Sequence, residues 1–209
     1  MNLWLRQYPI HLKDGVVIND YLRVGDTVLT PLNDSFMTII SDAIGMVDKP
    51  WHDLPDKPWH MAFVFDPRQE VVCEAYWPVV RLRRIKDMHN PSIYRWFDQT
   101  LDETEFMDFT IDRLGKRYDP MCYVCTAISR IAGLPAPRIL NKAYTCWELN
   151  AELAVWFGSP WSDLWSWPMI TDFLRAMGYL SGPPVHEVGI DYDYTEALVD
   201  KLLSGTAPA

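Results

Sequence analysis

The chain has little positive charge to offer an anion. Its 209 residues hold 19 Lys and Arg against 28 Asp and Glu, a formal net charge of -9, with a pI near 4.9. Phosphate backbones are held by clustered cations that displace condensed counterions, so this balance argues against a nucleic-acid surface. The basic run Arg81, Arg83, Arg84 and Lys86 is too short to reverse it and is expected on the solvated side of a strand and the turn after it. A long apolar run is missing from the N-terminus as well. Residues 1–15 carry Arg6, His11, Lys13 and Asp14 without an unbroken hydrophobic stretch, and read as neither a secretory signal nor a membrane span. The expected location is cytoplasmic; a protein released by lysis, or carried by a virus or secretion machine, would begin in the same way.

Cysteine is scarce too. Cys73, Cys122, Cys125 and Cys146 are too few in a chain this long for a disulfide scaffold, so free thiols are expected. Cys122 and Cys125 form a CxxC, half of a zinc site, but no second CxxC or HxxxH completes four ligands, and no metal is expected. There is no glycine-rich phosphate loop and no GxSxG turn, which leaves nucleotide binding and the serine-hydrolase elbow unsupported.

What is present suits one globular domain: the chain is 49% hydrophobic and 22% charged, enough to close a core. Ten tryptophans are many, and Trp147, Trp156, Trp161, Trp165 and Trp167 crowd into the last third. They read either as core and rim packing or as the walls of a groove for an extended or amphipathic ligand.

The pattern of elements is strands first and helices mostly after. Residues 26–32 read as a strand entered through a turn at Gly25-Asp26, followed by a short helix from Phe36 to Ile44 and a loop, Asp48 to Pro58, broken by Pro50, Pro55 and Pro58. From Trp59, two β-rich runs joined by residues 66–69, and a third over Val79 to Ile85, form an antiparallel meander. Helices are expected over Asp102 to Leu114, ending at Gly115, and over Cys122 to Ala132; later ones open at Ser166 and run from Thr195 to Leu203. This order fits an α+β domain better than a doubly wound parallel sheet.

Thr145-Cys146-Trp147-Glu148 has the capping-box form, which puts Cys146 at the first position of a helix that buries Leu149, Leu153, Trp156 and Phe157. There a thiol sits in the positive end of the helix dipole, which favours the thiolate, and first-turn N–H groups can serve an oxyanion hole. By position alone Cys146 is equally a small buried apolar residue. Cys73, Cys122 and Cys125 lie in apolar segments without such a cap. Of the five histidines, His11, His52, His89 and His186 lie in polar, proline-bearing or terminal segments, whereas His60 opens a strong strand.

A three-residue loop over Asp66 to Arg68 would set His60 directly opposite Glu74, with Cβ atoms about 4.5 to 5.5 Å apart. Glu74 is the sole acid in the apolar run Val71 to Tyr76, and a buried acid needs a partner or a task. The pair reads either as the base and orienter of a triad or as a cross-strand ion pair without catalysis.

Five stretches in this order resemble a known group. They are Gly25-Asp26-Thr27-Val28-Leu29-Thr30; Trp59-His60-Met61-Ala62-Phe63-Val64; Val72-Cys73-Glu74-Ala75; Gly115 with Tyr118-Asp119; and Tyr144-Thr145-Cys146-Trp147-Glu148-Leu149. Together they resemble the opening strand, base-bearing strand, acid-bearing strand, G-x-x-YD turn and nucleophile helix of the circularly permuted NlpC-type, papain-like cysteine hydrolases, which include YiiX-like proteins and lecithin:retinol acyltransferase relatives. The chain departs from that pattern at Trp147, where a small residue is usual, and in the proline-bearing insertion before His60.

The resemblance implies a small antiparallel sheet or half-barrel packed on a nucleophile-bearing helix, within a single domain spanning 1–209 whose residues 159–209 form a Trp- and Pro-rich, helical extension. It implies Cys146 as nucleophile, His60 as base and Glu74 as third residue, with Trp59, Tyr118 and Trp147 contacting substrate and no cofactor. The expected reaction is thiol-dependent hydrolysis of an amide in a small peptide, such as a cell-wall (peptidoglycan) peptide. A lipid esterase or acyltransferase, and a catalytically silent binding module, are the alternatives.

Overall fold

The computed structural model describes residues 6–31, 60–97, 100–120, 122 and 143–158. The expected helix from Phe36 to Ile44, the loop from Asp48 to Pro58, Trp59, the helix after Cys122 and everything beyond residue 158 lie outside the described residues.

The architecture is α+β and dominated by its sheet. Strands β1 (Gln7–His11), β2 (Val17–Tyr21), β3 (Thr27–Thr30), β4 (His60–Asp66), β5 (Val71–Tyr76), β6 (Val79–Arg84) and β7 (Ser92–Tyr94) precede helix α1 (Glu103–Arg113); β8 (Arg117–Tyr118) and β9 (Ala143–Tyr144) precede helix α2 (Cys146–Trp156). The described strands form one nine-stranded sheet in the order β2-β1-β7-β3-β4-β5-β6-β8-β9. The meander β4-β5-β6 is antiparallel as expected. The sheet is otherwise larger than the small antiparallel one expected: an N-terminal hairpin β1-β2 joins it through a parallel β1-β7 pair, and a parallel β8-β9 pair extends the other end. No described helix is long and apolar enough to cross a membrane.

Strand alternation divides the core into two clusters. Met61, Phe63, Cys73 and Ala75 pack with Phe106 and Phe109 of α1 and Leu149 and Leu153 of α2. Val28, Ala62, Val64 and Val72 join Ile10, Ile85 and Ile93 in the second. Each fully buried Leu, Ile, Val or Phe removes enough apolar surface from water to contribute about 1.5–3 kcal/mol. Helix α1 starts at Asp102, whose carboxylate accepts from the Glu105 N–H at 2.9 Å, and stops before Gly115 at φ +76. Arg113 ties the two helices together, donating to Glu152 at 2.8 Å with its guanidinium 3.6 Å from the Phe109 ring.

The hairpin register departs from expectation. Glu74 lies opposite Ala62, not opposite His60, and a bulge falls between Val64 and Asp66. The turn explains the slip: the Asp66 carboxylate accepts from the N–H groups of Arg68 and Gln69 at 2.8 and 3.1 Å, and Glu70 takes φ 56, so residues 67–70 form a four-residue connection. A shift of two positions keeps both side chains on one face and makes His60 and Glu74 diagonal neighbours.

A candidate Cys-His-Glu active site

Helix α2 begins as its sequence requires. Thr145 is extended at φ -86, ψ 168, its N–H donates to Glu148 Oε2 at 2.8 Å, and its hydroxyl accepts from the Glu148 N–H at 3.3 Å. Cys146 is thereby fixed as the first helical residue. Inside the helix, the Asn150 side-chain amide donates to the Cys146 carbonyl at 2.8 Å.

His60 is the first residue of β4, and its ring meets two partners there. Nε2 lies 2.7 Å from Glu74 Oε2, and the Cys146 thiol is within hydrogen-bonding reach of the ring. His60 is in phase with Ala62 and Val64, while α2 packs on the face of Met61 and Phe63, and His60 stands at the end of the strand. All three side chains are buried: Cys146 is 0%, His60 3% and Glu74 0% exposed. Burial opposes a charge on the ring; the hydrogen bonds and charges of Cys146 and Glu74 outweigh it and raise the His60 pKa to about 9. Burial likewise raises the proton affinity of Glu74, and His60 and Arg81 more than offset it, holding the carboxyl below the usual carboxylate range.

The basic run is not simply solvated. The tight turn at Trp77-Pro78 sets Tyr76 opposite Val79 and hence Glu74 opposite Arg81. Arg81 Nε donates to Glu74 Oε1 at 2.8 Å, and Arg83 Nη1 lies 3.7 Å from Oε2. Tyr76 presents an edge-on contact to the His60 ring, with centroids 5.6 Å apart. Arg81 and Tyr76 are absent from the site read from sequence, although the register argument used for β4 and β5, extended one hairpin further, points to Arg81.

The expected substrate-contacting residues fall differently. Trp59 lies outside the described residues, while Tyr118 and Trp147 are buried in the cluster that packs α2 on the sheet. Trp156, expected on the buried face of α2, is 51% exposed, because its indole N–H reaches out to Glu105 at 3.0 Å. Cys73 and Cys122 are buried, and burial pushes the Cys73 thiol pKa up. No cluster of metal-ligating side chains occurs among the described residues. The chain matches no protein-family model and no curated protein.

Proposed function

We propose that this chain is a cysteine hydrolase in which Cys146 attacks, His60 exchanges the proton, and Glu74 orients the ring and balances its charge. One observation carries the reading: a buried imidazole sits within hydrogen-bonding reach of a carboxylate and of a cysteine at the first position of a capped helix. An ion pair kept only for stability has no need of that thiol.

In the proposed reaction the thiolate adds to an amide carbonyl, and the tetrahedral intermediate collapses as the imidazolium protonates the leaving amine, leaving a thioester. His60 then takes a proton from water, whose oxygen attacks the thioester, releasing the acid and regenerating the Cys146 thiolate beside the His60 imidazolium. The resemblance to permuted NlpC-type enzymes favours a small peptide substrate of the cell-wall type and a papain-like fold in one domain. A tryptophan-walled groove would favour the lipid-esterase alternative; of the five tryptophans in the last third, Trp147 is in the core, Trp156 is bonded to Glu105, and Trp161, Trp165 and Trp167 lie outside the described residues.

Cys146 is wholly buried, so substrate entry goes with a local opening of the site. Small alkylating reagents should therefore modify it faster than bulky ones, and faster than they modify Cys73 or Cys122. The deciding assay is cleavage of peptidoglycan fragments and short-chain esters by the native chain and by Cys146→Ala. Amide cleavage should disappear in the variant; equal turnover by both would sink the proposal.

A further inference from the structure

We propose that Arg81 is the positioning residue of this site, fixing the Glu74 carboxylate in its ionised form with one oxygen turned to His60; the inference rests on the catalytic reading only for its effect on Cys146. The two carboxylate oxygens have divided tasks. Oε1 accepts from Arg81 Nε at 2.8 Å, and Oε2 lies 2.7 Å from the ring. With one oxygen pinned, the carboxylate cannot rotate without breaking a charge-assisted bond.

Arg81 is itself held on two sides. It stands directly opposite Glu74 in the β5-β6 ladder, and its guanidinium lies 4.4 Å from the centroid of the Tyr76 ring, which contacts His60 edge-on. Glu74, Arg81, Tyr76 and His60 thus form a closed circuit of contacts. Among the described residues, the charged and titratable groups that interact with Glu74 are His60 from β4, Arg81 and Arg83 from β6 and the neighbouring Cys73 of β5, with Cys146 of α2 beyond the ring. Arg81 is the permanent cation at bonding distance, whereas Arg83 is 3.7 Å away and also donates to the Asp87 carbonyl. A buried carboxylate without such a cation tends to take up a proton, and a protonated Glu74 no longer supports the imidazolium.

The test compares the native chain with Arg81→Gln, Arg81→Lys and Arg84→Gln. Arg84 is exposed and serves as a control for loss of charge on the same strand. Side-chain carbon NMR follows the Glu74 titration, and small-reagent alkylation of Cys146 is measured against pH. In Arg81→Gln the Glu74 midpoint should move up, and the acid limb of the Cys146 alkylation profile should move up with it, a one-unit shift slowing the rate on that limb roughly tenfold. Arg81→Lys should recover part of both effects, and Arg84→Gln should show neither.

Arg81 is 40% exposed on its side chain, so its replacement leaves the core packing in place. An unmoved Glu74 titration in Arg81→Gln, or an equal shift in Arg84→Gln, overturns the proposal. If instead the Glu74 midpoint moves and alkylation does not, the hold on Glu74 stands and the catalytic reading of Cys146 is what fails.

Discussion

Two of the buried carboxylates, Asp26 and Glu74, meet opposite fates. Asp26, before β3, accepts two bonds at 2.8 Å from the fork of Arg95 and one at 2.8 Å from the Arg23 N–H. Arg95 also bonds Asp20 and the Tyr21 carbonyl, so the cluster ties the β1-β2 hairpin to the sheet. Glu74 has a guanidinium too, but its second oxygen faces an imidazole that in turn meets a thiol. Burial dominates at Asp26 and raises its pKa, whereas at Glu74 the partners win and lower it. A carboxylate with both oxygens on a permanent cation is a fastener; one that turns an oxygen to a titratable ring can orient that ring and support its charge.

The sharpest way to break that contrast is to neutralise Glu74. Glu74→Gln keeps the shape but removes the charge that fixes the His60 tautomer, so turnover should fall by roughly 10²–10⁴-fold with a modest change in stability. Normal turnover with only a stability loss would make Glu74 a fastener like Asp26. Arg95→Met should do the reverse. It leaves Asp26 buried without its cation, and the denaturant midpoint should report a loss of about 3–5 kcal/mol. Cys146 alkylation in the folded fraction should not change; if it slows, the two carboxylates are coupled and the comparison fails.

The next effect is a dependence on pH. The folded pKa of His60, about 9, lies above its ordinary 6.5, so its stabilisation is complete below 6.5 and is lost as pH rises through about 9. That gap corresponds to about 3 kcal/mol at about 1.4 kcal/mol per unit. Glu74 is shifted down, so its share is present above its ordinary 4.5 and is lost as pH falls through the folded value. Asp26 is shifted up, which means that its ionised form is the disfavoured one and acid relieves it. Urea unfolding at pH 6 and pH 10 should show the native chain losing this increment and His60→Asn not losing it. Parallel losses in both would remove the imidazolium from the account.

The parts of this arrangement written in local chemistry were legible in the sequence. Thr145 and Glu148 announce the capping box that sets Cys146 at a helix start, and Asp102 and Gly115 bracket α1. The meander could be read from β-rich runs, because alternation and turn residues are local signals. The exact pairing could not, since the Asp66 turn and the bulge after Val64 depend on side-chain bonds to backbone that a count of loop residues ignores. Strands β1, β2, β7, β8 and β9 escaped for a related reason. They are short or polar, and partners distant in sequence, such as Ile93 beside Ile10, supply what holds them. Gly25 and Asp26 read as an opening turn. Their reason is tertiary: Gly25 takes φ +84 with its missing Cβ 2.6 Å from Leu101, and Asp26 binds Arg95.

The smallest predicted effect concerns the hydroxyl that starts α2. Thr145→Ala removes the acceptor of the Glu148 N–H and the donor to Glu148 Oε2, but leaves the Thr145 N–H bond to that carboxylate available. Loss of such a cap costs about 1 kcal/mol, well below the loss expected from Arg95→Met. Its location matters more than its size, because the next residue is Cys146. Fraying of the first turn would let the thiol drift from His60, so alkylation should slow more than global unfolding is favoured. Thr145→Ser, which restores the hydroxyl, should return both quantities to native values. If Thr145→Ala lowers stability by that amount and leaves the alkylation rate of Cys146 untouched, the cap supports the fold alone, and the thiol is positioned by the packing of α2 on β4 and β5.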